Sequence, residues 1–156
     1  MQFCMLPFFI EELSLFDIDR VLKIIKQENK RFVEPIVTTI SRERTPFHVL
    51  ISCLLSLRTR DQTTREASNR LFAVADNPED IMKIPAERLE KLIYPVGFYR
   101  TKARKIKEIC DVLIQTYQGK VPDEIDELLK LNGVGRKTAN LVVTLGYQKP
   151  GICVDT

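Results

Sequence analysis

Leu128-Leu129-Lys130-Leu131-Asn132-Gly133-Val134-Gly135-Arg136-Lys137-Thr138-Ala139-Asn140-Leu141-Val142-Val143 is the stretch on which the reading of the fold turns. Apolar residues at 128, 129 and 131, and again at 141, 142, 143 and 145, bracket a Gly-Val-Gly turn. The spacing predicts a helix, a tight turn, and a second helix beginning near Gly135 or Arg136. Gly133 and Gly135 can take backbone angles denied to other residues, and without side chains they let another molecule approach the main chain closely. A helix start also leaves free N–H groups and the positive end of a dipole facing outward, which suits a phosphate. Directly after the turn stands Lys137, a candidate nucleophile.

Upstream of the hairpin, helical patterns continue. Apolar residues at Ile18, Val21, Leu22, Ile24 and Ile25, with Asp17 as N-cap, predict a first amphipathic helix to about Gln27. Pro35, then Ser41 to Pro46, read as a loop, with Pro46 placed to start a helix. The run Phe47 to Ser56 is apolar nearly all round and predicts a central buried helix. Asp61 or Thr63 can cap a helix reaching Phe72, Asn77-Pro78 a short one through Met82, and Pro85-Ala86 another towards Ile93. Ala103, Ile106, Cys110, Leu113, Ile114 and Tyr117 share one face of a helix that Gly119 ends, and Pro122-Asp123 opens the one that enters the hairpin. With no alternating β pattern, the chain is expected to be all-α.

Composition narrows the function classes. A chain of 156 residues with 44% hydrophobic content is about one domain long and can bury a core. Its formal charge of +3 is only mildly basic, so distribution matters more than the total. Lys91, Arg100, Lys102, Arg104, Lys105 and Lys107 form a run without an acid, whereas Asp123, Glu124, Asp126 and Glu127 cluster. Arg100, Arg104, Lys105 and Lys107 are expected on the solvent side, as a plain solvated face or as phosphate contacts. Cys4, Cys53, Cys110 and Cys153 lie far apart without a CxxC pair or a neighbouring histidine, which argues against a metal site and for reduced thiols inside a cell. Met1 to Ile10 is apolar but lacks a basic leader and is broken by Pro7, so it is expected to be neither signal peptide nor membrane span. His48, the only histidine, and Phe98 and Tyr99 read as packing residues.

The extended pattern Leu128-x-x-Leu131-x-Gly133-Val134-Gly135-x-x-Thr138-Ala139-x-x-Val142 specifies packing residues on both helices, a small residue at their crossing and an open turn between them. Here the sequence resembles the helix-hairpin-helix DNA-binding motif, and Gly135-Arg136-Lys137-Thr138-Ala139-Asn140 is similar to the endonuclease III family of DNA glycosylases. Val154-Asp155-Thr156 matches the family's catalytic aspartate segment. Further matches lie at Pro46-Phe47, Leu54-Leu55-Ser56, Thr59-Arg60-Asp61, Gly97-Phe98-Tyr99, Lys102-Ala103 and Val121-Pro122. The resemblance covers residues 16–156 as a helix-hairpin-helix glycosylase domain, with residues 1–15 as an apolar extension.

What the resemblance implies is base-excision repair of damaged double-stranded DNA in an intracellular setting, cytoplasm or nucleoid. Damaged pyrimidines would be removed and abasic sites nicked through a lysine Schiff base. Lys137 is the expected nucleophile and Asp155 the supporting carboxylate. The helix start and Arg136 disfavour a second positive charge beside them, which favours the neutral amine that attacks. Leu131, Gly133, Val134, Gly135, Arg136 and Thr138 are the expected DNA-binding residues, the turn holding phosphate through its backbone. Arg58 stands where many relatives carry a glutamine that fills the gap left by the extruded base; pairing with Asp61 is the alternative.

The family's four-cysteine [4Fe-4S] segment would lie beyond Thr156, so no cofactor and no metal is expected in this chain. Its incomplete C-terminal end is expected to invite a dimer or a complementing chain, and to hold Asp155 loosely. The alternative function is a truncated, catalytically weak or inactive DNA-binding module.

Overall fold

The computed structural model describes residues 17–32, 34–43 and 45–153, and contacts divide the chain into two units, Met1–Glu34 and Pro35–Thr156. Residues 1–16, which include the expected apolar extension, lie outside the described residues. In the first unit, α1 (Ile18–Glu28) starts as its sequence predicts, the Asp17 carboxylate accepting from the Arg20 N–H at 3.0 Å. A 3₁₀ turn (Asn29–Arg31) follows.

The second unit is a helical assembly with no strand among the described residues. Its helices are α2 (Ile36–Glu43), α3 (Pro46–Ser56), α4 (Asp61–Phe72), α5 (Pro78–Lys83), α6 (Ala86–Ile93), α7 (Tyr99–Tyr117), α8 (Ile125–Leu129) and α9 (Arg136–Leu141). One π-helical turn, Val142–Gly146, prolongs α9. At the centre is α3: every residue from Phe47 to Leu55 is buried, and α2, α4, α7, α9 and the π turn all pack against it. A helix apolar on all sides can be stable only when so enclosed. His48 belongs to this core, its Nδ1 2.7 Å from the Thr45 hydroxyl and its ring edge-on to Phe72.

Three helix starts, those of α1, α3 and α5, are local in origin. Pro46 and Pro78 occupy first-turn positions where a missing N–H costs nothing. Asn77 accepts the Asp80 N–H at 2.8 Å, capping α5 through its side chain. At the other end of α7, Gln118 and Gly119 share the left-handed turn, and the Gly119 N–H reaches the Leu113 carbonyl at 2.9 Å.

Helix α2 corrects the sequence reading, which expects a loop there. Its cap comes from far along the chain: the Asp61 carboxylate accepts the Ile36 N–H at 3.0 Å through one oxygen and 3.3 Å through the other. Asp61 is thus committed to α2, and the N-cap position of its own helix falls to Arg60. Ile36, Val37 and Ile40 then face the core.

Candidate active site

The hairpin forms as the glycine spacing predicts. Helix α8 ends at Leu129, Gly133 adopts φ +92°, and α9 begins at Arg136. Leu131, Val134, Thr138 and Ala139 are buried, so the side chains of these residues hold the two helices together. The Val134 N–H is given to the Leu131 carbonyl at 3.0 Å, within the turn itself. The first bond of the following ladder runs from the Ala139 N–H to the Gly135 carbonyl at 2.9 Å, so the N–H groups of Gly135 to Thr138 precede it. Gly135, Arg136 and Lys137 are exposed at this end.

Lys137, in the first turn of α9, lines a cavity of about 550 Å³ together with Cys53, Ser56, Leu57, Arg58, Thr59, Thr138 and Leu141. The lining comes from the C-terminal end of α3, the α3–α4 loop and α9. Of the lining side chains Lys137 is the one primary amine. Cys53 is chemically quiet: burial, with Cys153 adding to it and Lys137 opposing, pushes its thiol up to about 12, leaving almost no thiolate at neutral pH. Cys153 is exposed, its sulfur 3.8 Å from the Lys137 carbonyl oxygen. Asp155 lies outside the described residues.

Arg58 is exposed in the loop with φ +52°, and its guanidinium stands 5.9 Å from the centre of the Phe98 ring rather than on Asp61. Phe98 has φ +57° and is 65% exposed. This corrects its reading as a packing residue. Only Tyr99 packs, edge-on to Tyr94 at 5.4 Å between ring centres. Two adjacent loops therefore each present one bulky side chain from a left-handed backbone position that such residues rarely adopt.

In the sequence Lys102 is one member of a basic run. Instead it is 8% exposed, and its ammonium donates to the carbonyls of Leu55 and Leu57 at 2.8 and 2.6 Å and to the Thr59 hydroxyl at 3.1 Å. The signal was present: 102 falls on the stripe with 106, 109 and 113, all buried, so the lysine sits where an apolar residue is expected. Nothing comparable in the sequence marks the exposure of Phe98.

Among the described residues no three His, Cys, Asp or Glu side chains gather to hold a metal ion. Cys110, like Cys53, is buried with its thiol pushed up to about 12, burial being the largest cause. Among those residues too, no helix is long and apolar enough to cross a membrane.

Fold and hairpin together define a helix-hairpin-helix protein with an amine beside a cavity. The chain belongs to the HhH-GPD superfamily of base excision DNA repair proteins, whose pattern matches residues 51–156. It is 51% identical over 115 residues to endonuclease III of Thermotoga maritima, across 74% of this chain and 54% of that relative. A solved non-covalent endonuclease III–DNA complex superposes with a TM-score of 0.76 at 38% identity, over 90% of this chain and 65% of that one. A trapped covalent endonuclease III–DNA intermediate gives 0.74 at 37%, with the same coverage. The chain spans about half the length of the curated relatives it matches.

Proposed function

We propose that this chain is a DNA glycosylase with AP lyase activity of the endonuclease III type, releasing damaged pyrimidines from duplex DNA and nicking abasic sites. The observation that carries the reading is the Lys137 amine in the first turn after the hairpin, on a cavity it shares with Arg58. A function of this kind is exercised on chromosomal DNA, in the cytoplasm or nucleoid.

In this scheme the turn at Gly133, Val134 and Gly135 sits against a phosphate, with the N–H groups that precede the α9 ladder facing it. Arg136 adds charge at the same end. The damaged nucleotide turns out of the stack towards the cavity, and Arg58 with Phe98 fills the space it leaves. Lys137 Nζ attacks C1′ of the sugar, forming a C–N bond as the glycosidic bond breaks and the base departs with a proton. Opening of the sugar ring yields a Schiff base between Nζ and C1′. Loss of a C2′ proton then expels the 3′ phosphate oxygen, breaking the strand, and water hydrolyses the Schiff base to restore the amine. Asp155 is the carboxylate the scheme assigns to proton transfer and to stabilising positive charge on the sugar.

Borohydride trapping on abasic duplex DNA tests this directly. A covalent adduct is expected with the wild-type chain and none with Lys137→Ala. Tight duplex binding without any wild-type adduct would replace the enzyme with a DNA-binding module.

A further inference from the structure

Two loops meet beside the cavity, and one buried side chain joins them. Helix α3 ends at Ser56, leaving carbonyls of its last turn without helical partners. Lys102, in the first turn of α7, takes that of Leu55 together with the carbonyl of the C-cap residue Leu57, and also donates to the Thr59 hydroxyl. That hydroxyl in turn accepts the Gly97 N–H at 3.1 Å and donates to the Leu57 carbonyl at 3.2 Å, so all of its hydrogen-bonding capacity is used. The backbone N–H of Lys102 bonds the Phe98 carbonyl at 3.0 Å. One residue therefore grips the 55–59 segment with its side chain and Phe98 with its main chain. The loops touch: a Cβ on Gly97 would stand 2.6 Å from the Arg58 carbonyl oxygen, a distance only glycine permits. Arg58 and Phe98, both exposed and both left-handed, project from either side of this junction.

We propose that Lys102 is a positioning residue, its ammonium locking the 57–59 loop to the 96–98 loop so that Arg58 and Phe98 are held as one rigid wedge at the edge of the Lys137 cavity. The proposal rests on the reading of the cavity as the place where a nucleotide leaves the duplex. A lysine solvated by main-chain oxygens inside a protein costs desolvation that an apolar residue of the same length does not. The fold alone would be served by methionine at this point of the apolar stripe. What the ammonium supplies in addition is a fixed geometry for the two loops that carry the exposed tips.

The experiment compares affinity for a duplex carrying a tetrahydrofuran abasic analogue with affinity for the intact duplex. Wild-type chain is expected to prefer the analogue. Lys102→Met is expected to cut that preference about ten-fold or more, the worth of a lost charge-assisted hydrogen bond, while intact-duplex affinity through the hairpin stays unchanged. Should Lys102→Met fail to fold, Thr59→Val tests the same lock by removing the shared hydroxyl, and Thr59→Ser is expected to restore the preference. In an Arg58→Ala/Phe98→Ala background, Lys102→Met is expected to cost nothing further, because the lysine acts through those tips. Undiminished preference in Lys102→Met and Thr59→Val, equal loss on both duplexes, or a further loss in the tipless background overturns the proposal. A wild-type chain that traps on abasic DNA but fails to prefer the analogue overturns the wedge alone; one that neither traps nor prefers it overturns the proposed function with it.

Discussion

Lys105 lies flat against Gly133 at the hairpin turn: a Cβ added to that glycine would stand 3.0 Å from Lys105 Cδ and 3.1 Å from its Nζ. Its neighbours on α7 are engaged, Arg100 with Glu90 and Arg104 with Glu108 at 3.8 Å each, and Lys107 with the Met82 carbonyl at 3.2 Å. Lys105 has no carboxylate within ion-pairing range among the described residues, which leaves its charge available beside the turn proposed to meet a phosphate. Lys105→Ala is expected to weaken every duplex by a similar factor and to make the slope of log K against log salt shallower by about one. Fluorescence anisotropy across a salt series reads both, and an unchanged slope would show that this ammonium contacts no phosphate.

Ala139 is fully buried where α9 crosses its neighbours, and it sits two positions after Lys137. A larger side chain there pushes the helix that carries the amine. Ala139→Leu is expected to cost about 1–3 kcal/mol through overpacking, visible as a lowered thermal midpoint, and to reduce borohydride trapping more than duplex binding. Trapping at the wild-type rate would mean that the position of α9 is not what sets the reactivity of Lys137.

How much of this was legible depends on where each instruction lies in the chain. Asp17, Pro46, Asn77 and Gly119 act on their own turns, so the elements they bound were readable. The glycine spacing of the hairpin is equally local. Helix α2 was missed because its cap, Asp61, arrives from another helix, and no window of sequence around Ile36 contains it. Arg58 and Phe98 are set by a backbone approach at Gly97 between two loops, which a single sequence does not reveal. Lys102 is an intermediate case: its place on the apolar stripe was written in the sequence, but its three acceptors come from another segment.

Burial pushes the Lys102 amine from the ordinary 10.5 down to about 8. Facing it are two carbonyls and a hydroxyl, so desolvation is the cause that dominates. Below about pH 8 both folded and unfolded chains carry this proton, and the group adds no pH dependence. Between about 8 and 10.5 the unfolded chain holds a proton that the folded chain has released, so the lysine's contribution to stability rises with pH across that window. The neutral amine has two donors for three acceptors, so the same change loosens the junction. Wild-type stability relative to Lys102→Met is therefore expected to increase above pH 8 while preference for the abasic analogue declines. Denaturant titrations at pH 7 and 9.5 check the first half, and a flat difference would contradict it.

Gly133 and Gly135 look alike in sequence and are required for different reasons. Gly133 has φ +92° and touches Lys105, so Gly133→Ala is expected to cost about 1–2 kcal/mol of stability through backbone strain alone. Gly135 is extended, at φ −95° and ψ 176°, and an added Cβ would meet nothing within 4 Å. The fold makes no demand for glycine at 135, and Gly135→Ala is expected to leave stability within about 0.5 kcal/mol of wild type. What the missing side chain permits there is the approach of something outside the chain to the main-chain N–H groups at the head of α9. Gly135→Ala is accordingly expected to lower duplex affinity several-fold with an unchanged melting curve, whereas Gly133→Ala lowers both. Full duplex affinity in a folded Gly135→Ala chain would mean that DNA does not come close to the main chain at this turn, and would move the phosphate contact to the Lys105 and Arg136 side chains.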